Sequence, residues 1–359
     1  APSPGAWAQA KSLLVQLGAL SKGRLTPYGA ALAKLPLHPR LAQMLLQAGP
    51  RAAPLTALLS DRDMLSTQNC DLAPALTALR GPAGQKAPAG TIRDHSALER
   101  IKQEAKRLSR LAPKAIREVA LSPAQCLALA YPERVAQRRP GTQPRYIMAG
   151  GKGAVLASDD TLANAQYLVI ADLGNPHIST GPDPKIRRAL ALSEAELREV
   201  FAERITWETR CHWSKRHRRV IASRSETLGA LSLTQEVWRE APTDALAAAM
   251  VEGVHHMGLR LPKAARLLQA RVAAAPTGQF PDCADAALLE AAPGWLAPYL
   301  TGMTTEQDWK SFDPLPALEA YIGWNGLHQL EKIAPAHFIT PLGRKIAIDY
   351  TGDRPAIEL

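Results

Sequence analysis

The chain has 359 residues, 46% hydrophobic and 21% charged, which excludes both a single small module and a predominantly disordered tail. Forty-three basic residues against 33 acidic ones leave a net charge of +10 and a pI near 9.6, so the surface is biased toward polyanions such as nucleic acid. Only 5% of the residues are aromatic while Pro and Gly number 29 and 24, a profile of Ala/Leu helices divided by many turns rather than an all-β sandwich. Cys70, Cys126, Cys211 and Cys283 are too dispersed for a disulfide framework or a zinc motif, and a reducing, cytoplasmic setting is expected. No stretch reaches the roughly 18 apolar residues of a membrane span, so no membrane partner is expected. The start, Ala1-Pro-Ser-Pro4, without an initiator Met, is expected to belong to a longer polypeptide.

Ala6, Ala10, Leu13, Leu14 and Leu17 share one face of a predicted helix that ends at Gly18. After a wing-like turn at 21–24, Thr26 is placed as an N-cap and Pro27 as the first residue of an Ala-rich helix reaching Leu35. Pro36 and Pro39 then break the chain, and 41–48, 53–60 and 72–79 read as short apolar helices. Residues 81–90 read as an exposed loop. Beyond it, Ser96 and Glu99 have the spacing of a capping box, and Leu98, Ile101, Ala105 and Leu108 repeat on one face of a helix running to about Arg117.

From Tyr131 the pattern alternates. Residues 145–149 and 154–158 flank Gly150-Gly-Lys-Gly153 as a hairpin, 166–173 is a near-continuous apolar strand, and Ser193 with Glu196 caps a helix to Ile205. Strands at 205–213 and 219–226 enclose the loop 214–218. Strands, a helix after the third, and a closing hairpin predict a five-stranded OB-like barrel, with the apolar segment 185–192 as an extra piece. Helices return beyond Leu233, and 337–350 reads as strand, turn, strand.

Three groups of basic residues are candidate nucleic-acid contacts. Seven basic residues against Glu104 alone lie between Arg100 and Arg117, among them Lys102, Lys106, Arg107 and Arg110; such a face is either solvated or laid along phosphates. Lys215, Arg216, Arg218 and Arg219 crowd the second hairpin loop, where barrel loops and stacked aromatics grip single strands. Trp207 and Trp213 on the preceding strand share a face and serve either as core or as a stacking surface. Arg145 and Lys152 flank and tip the first hairpin. Its Gly150 to Gly153 spacing matches the backbone-clamping GxxG loop, but strand flanks favour a plain turn.

No catalytic constellation stands out. The run around Lys152 lacks the first glycine and the hydroxyl residue of a phosphate loop, and there is no Asp-Glu-x-His run, so the chain is not expected to hydrolyse ATP, and no cofactor or metal is expected on it. Glu252, His255 and His256 lack a third convergent ligand, and Asp61-Arg-Asp63 reads as a salt-bridged helix end.

Several segments together resemble one family. Gln16-Leu-Gly-Ala-Leu20, Leu25-Thr-Pro-Tyr-Gly29, Leu35-Pro-Leu-His-Pro-Arg-Leu41 and Leu58-Leu-Ser-Asp-Arg-Asp63 resemble the helicase-associated region of DEAH-box helicases. Ala130-Tyr-Pro-Glu-Arg-Val-Ala136, the 149–156 hairpin, Leu228-Gly-Ala-Leu231, Trp295-Leu-Ala-Pro-Tyr-Leu300 and Ile348-Asp-Tyr350 resemble the bacterial HrpB-type subgroup. The resemblance implies the C-terminal region of an ATP-dependent RNA helicase. It further implies an α+β multidomain chain: a winged-helix part (1–36), a helical ratchet (37–125), an OB-like barrel (126–238) and a mixed accessory region (239–359). Single-stranded RNA, with DNA as the alternative, and upstream motor domains holding ATP and magnesium are the implied partners. A protein-docking platform is the rival reading.

Overall fold

The computed structural model describes residues 3–60, 70–81, 92, 94–117, 119–174, 183–340, 343–352 and 354–357. The expected exposed loop from 82 onward and the Asp61-Arg-Asp63 run lie outside them. The chain divides into two compact units, one of residues 1–206 with 226–233 and one of 207–225 with 234–359.

The first unit opens with α1 (Pro4–Gln16), a two-stranded ladder of β1 (Leu20–Ser21) and β2 (Arg24–Leu25), and α2 (Pro27–Ala33). Thr26 is the expected N-cap, accepting the Gly29 amide at 2.9 Å. Gly29 is required by close approach, because a Cβ there would stand 2.2 Å from the Ala19 carbonyl oxygen. Helices α3 (Pro39–Ala48), α4 (Ala53–Ser60), α5 (Ala73–Arg80), α6 (His95–Leu111) and α7 (Pro123–Ala130) then pack around Met44, Leu45, Leu58, Leu98, Ile101, Leu108 and Leu127, all buried. Each such leucine contributes about 1.5–3 kcal/mol relative to exposure.

Helix α6 starts and stops earlier than its sequence predicts. Asp94, not Ser96, is the N-cap; it accepts the Ala97 amide at 2.7 Å and the Ser96 hydroxyl at 2.6 Å, since a carboxylate is the stronger acceptor for the free N-terminal amides. The helix ends at Leu111, just before Ala112-Pro113, as the conformational restriction preceding proline requires.

Strands β3 (Val135–Arg138), β4 (Arg145–Met148), β5 (Gly153–Val155), β6 (Tyr167–Leu173) and β7 (Ile186–Leu192) form one sheet of order β5-β4-β3-β6-β7, antiparallel throughout. A parallel bridge from Val155 to Lys185 joins its two ends. Helix α8 (Glu194–Phe201), capped by Ser193 and Glu196 as expected, follows the fifth strand. This corrects the predicted strand set. The segment 185–192 is the fifth strand, with Ile186, Ala189, Leu190 and Leu192 buried, and the helix follows it rather than the third strand.

The hairpin at 206–228 lies outside that sheet. Strands β8 (Thr206–Ser214), β9 (Arg219–Leu228) and β10 (Leu231–Val237) form a separate three-stranded sheet with β9 at its centre and β8 at one edge. Thr206 and residues 226–233 of this ribbon belong to the first unit and the remainder to the second. At the β9–β10 turn Gly229 has φ 57°, and a Cβ there would stand 2.3 Å from the Ala149 carbonyl oxygen.

The second unit continues with α9 (Thr243–Met257), α10 (Lys263–Ala274), α11 (Asp285–Glu290), α12 (Ala292–Trp295), α13 (Glu306–Ser311), α14 (Leu315–Ile322) and α15 (Trp324–Ile333). Its core holds Trp213, Met250, Val254, Leu288, Trp295, Trp309 and Leu318. The two helix-borne indoles are satisfied as well as buried: Trp295 Nε1 donates to the Leu288 carbonyl at 2.8 Å and Trp309 Nε1 to that of Gly258 at 3.3 Å. The expected terminal hairpin is β11 (His337–Ile339) paired with β12 (Lys345–Ala347). Among the described residues no helix is long and apolar enough to cross a membrane.

Candidate nucleic-acid interface

The basic candidates fall on three separate elements. The first is α6, whose buried Leu98, Ile101 and Leu108 face α4 and leave the opposite side to solvent. On that side Arg100, Lys106 and Arg110 are exposed and have no ion pair among the described residues, and the same holds for Lys114 beyond the helix end. The other two candidate cations are engaged. Arg107 makes a two-point contact with Glu104 at 2.6 and 2.7 Å, and Lys102 reaches Glu99 at 3.2 Å. The Arg107 hydrogen bond holds the Glu104 carboxyl below its ordinary value, so this acid stays charged and offsets part of the face. Arg117 turns inward and donates to the Val200 carbonyl at 3.2 Å.

The second element is the β4–β5 turn, a hairpin closed by Met148 N donating to the Lys152 carbonyl at 2.9 Å, with Gly151 at φ 86°. Lys152 is exposed at its tip. Arg145 is not free: Asp183 pairs with it at 3.0 Å, and the same carboxylate lies where a side chain on Gly153 would be, 2.1 Å from its ideal Cβ.

The third element is the β8–β9 loop, in the second unit. Here the expected setting is corrected, because the loop projects from the three-stranded sheet rather than from the five-stranded one. His217 N donates to Ser214 Oγ at 3.2 Å, and Arg218 takes the left-handed conformation at φ 50°. The segment 304–306 then holds the loop's return, with Val220 N on the Thr304 carbonyl at 2.7 Å and Glu306 N on the Arg218 carbonyl at 3.0 Å. Glu306 also pairs with Arg218 at 3.1 Å and with Lys310 at 2.9 Å, which draw its carboxyl below the usual value, the Lys310 contact being the stronger cause. Lys215, Arg216 and Arg219 remain exposed, with no ion pair among the described residues.

The two tryptophans of β8 have opposite fates. Trp213 is buried against α9: its ring lies 2.5 Å from where a Cβ on Gly253 would be, and its amide donates to Glu252 at 3.2 Å. Glu252 is thereby occupied, and no cluster of three His, Cys, Asp or Glu residues fit to hold a metal occurs among the described residues. Trp207 is 50% exposed, with the Arg224 guanidinium 5.1 Å from its ring centre. Arg224 is not legible as a candidate in the sequence because it lies five positions past Arg219, outside the 215–219 charge run, and meets Trp207 only across the paired strands.

The family-like segments of the first unit interlock. Arg40, from Leu-Pro-Leu-His-Pro-Arg-Leu, reaches Glu133, from Ala-Tyr-Pro-Glu-Arg-Val-Ala, and lies 4.8 Å from the Tyr131 ring centre. A family model described as ATP-dependent helicase C-terminal matches residues 295–359, and one described as helicase associated domain (HA2), winged-helix, matches 12–37. The ATP-dependent RNA helicase HrpB of Escherichia coli (strain K12) is 31% identical over 358 residues, covering 96% of this chain. Over nearly its whole length the chain matches the C-terminal region of HrpB-type helicases. Crystal structures of the E. coli HrpB protein, described as a DExH-box NTPase and as a DEAH/RHA helicase, match it with TM-scores of 0.52 and 0.53. Their identities are 30% and 28%, covering 99% and 100% of this chain and 43% and 44% of theirs. The chain spans 42% of the length of the curated E. coli HrpB. Within this HrpB-type region, Gly29, Gly153 and Gly229 of the family-like segments sit where a Cβ would meet another group at 2.1–2.3 Å, so those glycines answer to packing rather than to a ligand.

Proposed function

We propose that this region guides nucleic acid for an ATP-dependent RNA helicase, gripping single-stranded RNA through its phosphates. The observation that carries the reading is the β8–β9 loop, where Lys215, Arg216 and Arg219 project from a hairpin stem with no acidic partner among the described residues. Lys106 and Arg110 on α6, and Lys152 on the β4–β5 turn, extend the same chemistry on the first unit. Helix α6 suits a ratchet element that lies along a moving strand, and the helix-ladder-helix start suits a winged-helix part. The five-stranded sheet, with its ends bridged through Val155 and Lys185, supports the reading of this part as an OB-like barrel. ATP and magnesium belong, in this reading, to motor domains of the longer helicase, and the setting is cytoplasmic, in keeping with four free cysteines.

The test is RNA affinity against salt. Binding of a single-stranded oligoribonucleotide falls steeply with salt, and Lys215→Ala/Arg216→Ala/Arg219→Ala lowers the log–log slope by about 0.7 for each phosphate no longer neutralised. Lys106→Ala/Arg110→Ala lowers it less in this chain, because a helix spreads its charges at about 1.5 Å per residue. Affinity independent of salt would sink the proposal. A second reading, a protein-docking platform, draws on exposed apolar groups of the second unit, with Trp324 80% and Ile339 61% exposed. It gains if no RNA is bound.

A further inference from the structure

We infer that Trp207, backed by Arg224, is a base-stacking platform at the root of the β8–β9 hairpin, so that the ribbon holds single-stranded RNA at two points, a base at its root and phosphates at its loop. The inference rests on the RNA-binding reading above and adds to it a residue and a mode of contact.

Trp207 lies on the edge strand of the three-stranded sheet and keeps half its surface in solvent. An isolated exposed apolar side chain needs no explanation. This one is organised: the Arg224 guanidinium sits 5.1 Å from its ring centre, and Arg224 is in turn held by an ion pair with Glu236. A braced cation against an indole steadies the ring, and the half of its surface left in solvent gives a base somewhere to stack.

The charge of the ribbon selects the occupant. Residues 206–228 carry six basic side chains, Arg210, Lys215, Arg216, Arg218, Arg219 and Arg224, against Glu208 and Glu226. Glu236 and Glu306 each answer one arginine, Arg224 and Arg218, and leave the other four without an ion pair among the described residues. A polyanion with flat rings satisfies both features, whereas an apolar peptide would leave the cations unanswered. From Trp207 to Ser214 the strand spans roughly 23 Å, the length of about seven nucleotides at stacked spacing. Trp213, on the same strand, takes no part because it is buried under α9.

The experiment compares two fluorescent dodecamers, oligouridylate and an abasic ribose-phosphate strand of equal length and charge, binding to the full 359-residue chain. Wild type binds the base-bearing strand about five- to thirty-fold more tightly, the lower part of the range for base–aromatic stacking. Trp207→Ala erases that preference while leaving abasic affinity and its salt slope unchanged, and Trp207→Phe restores most of it. The ring is half exposed, so Trp207→Ala is expected to fold, and its melting temperature checks this. An undiminished base preference in Trp207→Ala, or equal wild-type binding of both strands, overturns the platform while leaving phosphate binding standing. Binding of neither strand overturns the RNA reading itself, and the platform with it.

Discussion

Arg40 and Glu133 meet through both terminal guanidinium nitrogens, Nη2 donating to Oε1 at 2.6 Å and Nη1 to Oε2 at 3.1 Å, while Nη1 also donates to the Ala130 carbonyl at 2.7 Å. The pair ties the start of α3 to the 3-10 turn that follows α7, ninety-three positions along the chain. It is largely shielded, with 12% and 27% of the two side chains exposed. Its worth is therefore geometric as well as electrostatic: a planar fork matches a carboxylate and a carbonyl at once.

Arg40→Ala removes the two-point donor of Glu133, which keeps only the longer Arg134 contact at 3.5 Å, and strips the Ala130 carbonyl of the guanidinium; it is expected to cost about 1–3 kcal/mol, the scale for leaving a shielded polar group unsatisfied. Arg40→Lys recovers little of it, because an ammonium cannot make the two-point contact or stack on Tyr131. Urea unfolding of the three proteins measures both. Equal stability of the alanine and wild-type proteins would refute the account.

Gly253→Ala drives a Cβ to 2.5 Å from the Trp213 ring, in the core of the second unit. Overpacking of this kind costs about 1–3 kcal/mol. Calorimetry is expected to show a lower melting temperature, whereas Gly278→Ala, where no atom lies within 4 Å but φ is 88°, reports backbone strain alone.

Asp308 closes the capping box of α13, accepting the Thr304 and Thr305 amides at 2.8 Å, and these backbone bonds hold its carboxyl below the ordinary 3.8. A depressed folded value means the unfolded chain binds the proton more readily. The contribution is then complete above about pH 5 and is lost as pH falls through 3.8 toward the folded value. Asp285, lowered by hydrogen bonds from Arg266 and Gln269, acts in the same sense. Asp308→Asn is expected to flatten the acid limb of the unfolding curve. Thr305→Ala, which removes the other half of the box, costs about 1 kcal/mol at neutral pH.

The thiols differ in access. Burial pushes Cys126 and Cys283 up to about 11 and Cys70 higher still, while Cys211 is only half-buried and less strongly raised. Since thiolate is the reactive form, alkylation of the native protein at pH 8 is expected to mark Cys211 first and the other three only on unfolding. Mass spectrometry of the labelled peptides checks the order.

Local chemistry was legible in the sequence. Thr26 with Pro27, the Ser193–Glu196 box, the 150–153 turn and the terminal hairpin each depend on residues a few positions apart, and each stands where its spacing places it. The family segments were legible for the same reason, as runs of adjacent residues whose demands, such as the glycine beside Ala19, are met within one or two elements. Membership of a sheet was not. The alternation in 185–192 is broken by Arg187 and Arg188, and only pairing with β6 makes that segment a strand of the five, while the more regular hairpin at 206–228 joins a different sheet. The candidate cations show the same division. Lys215 and Arg218 are three positions apart in one loop, yet Glu306, eighty-eight residues on from Arg218, engages only the latter. Trp207 and Trp213 share a strand face, but α9 covers one and leaves the other half in solvent. Charge and ring are set by the residue itself, whereas whether either stays available depends on which distant side chain the fold brings against it.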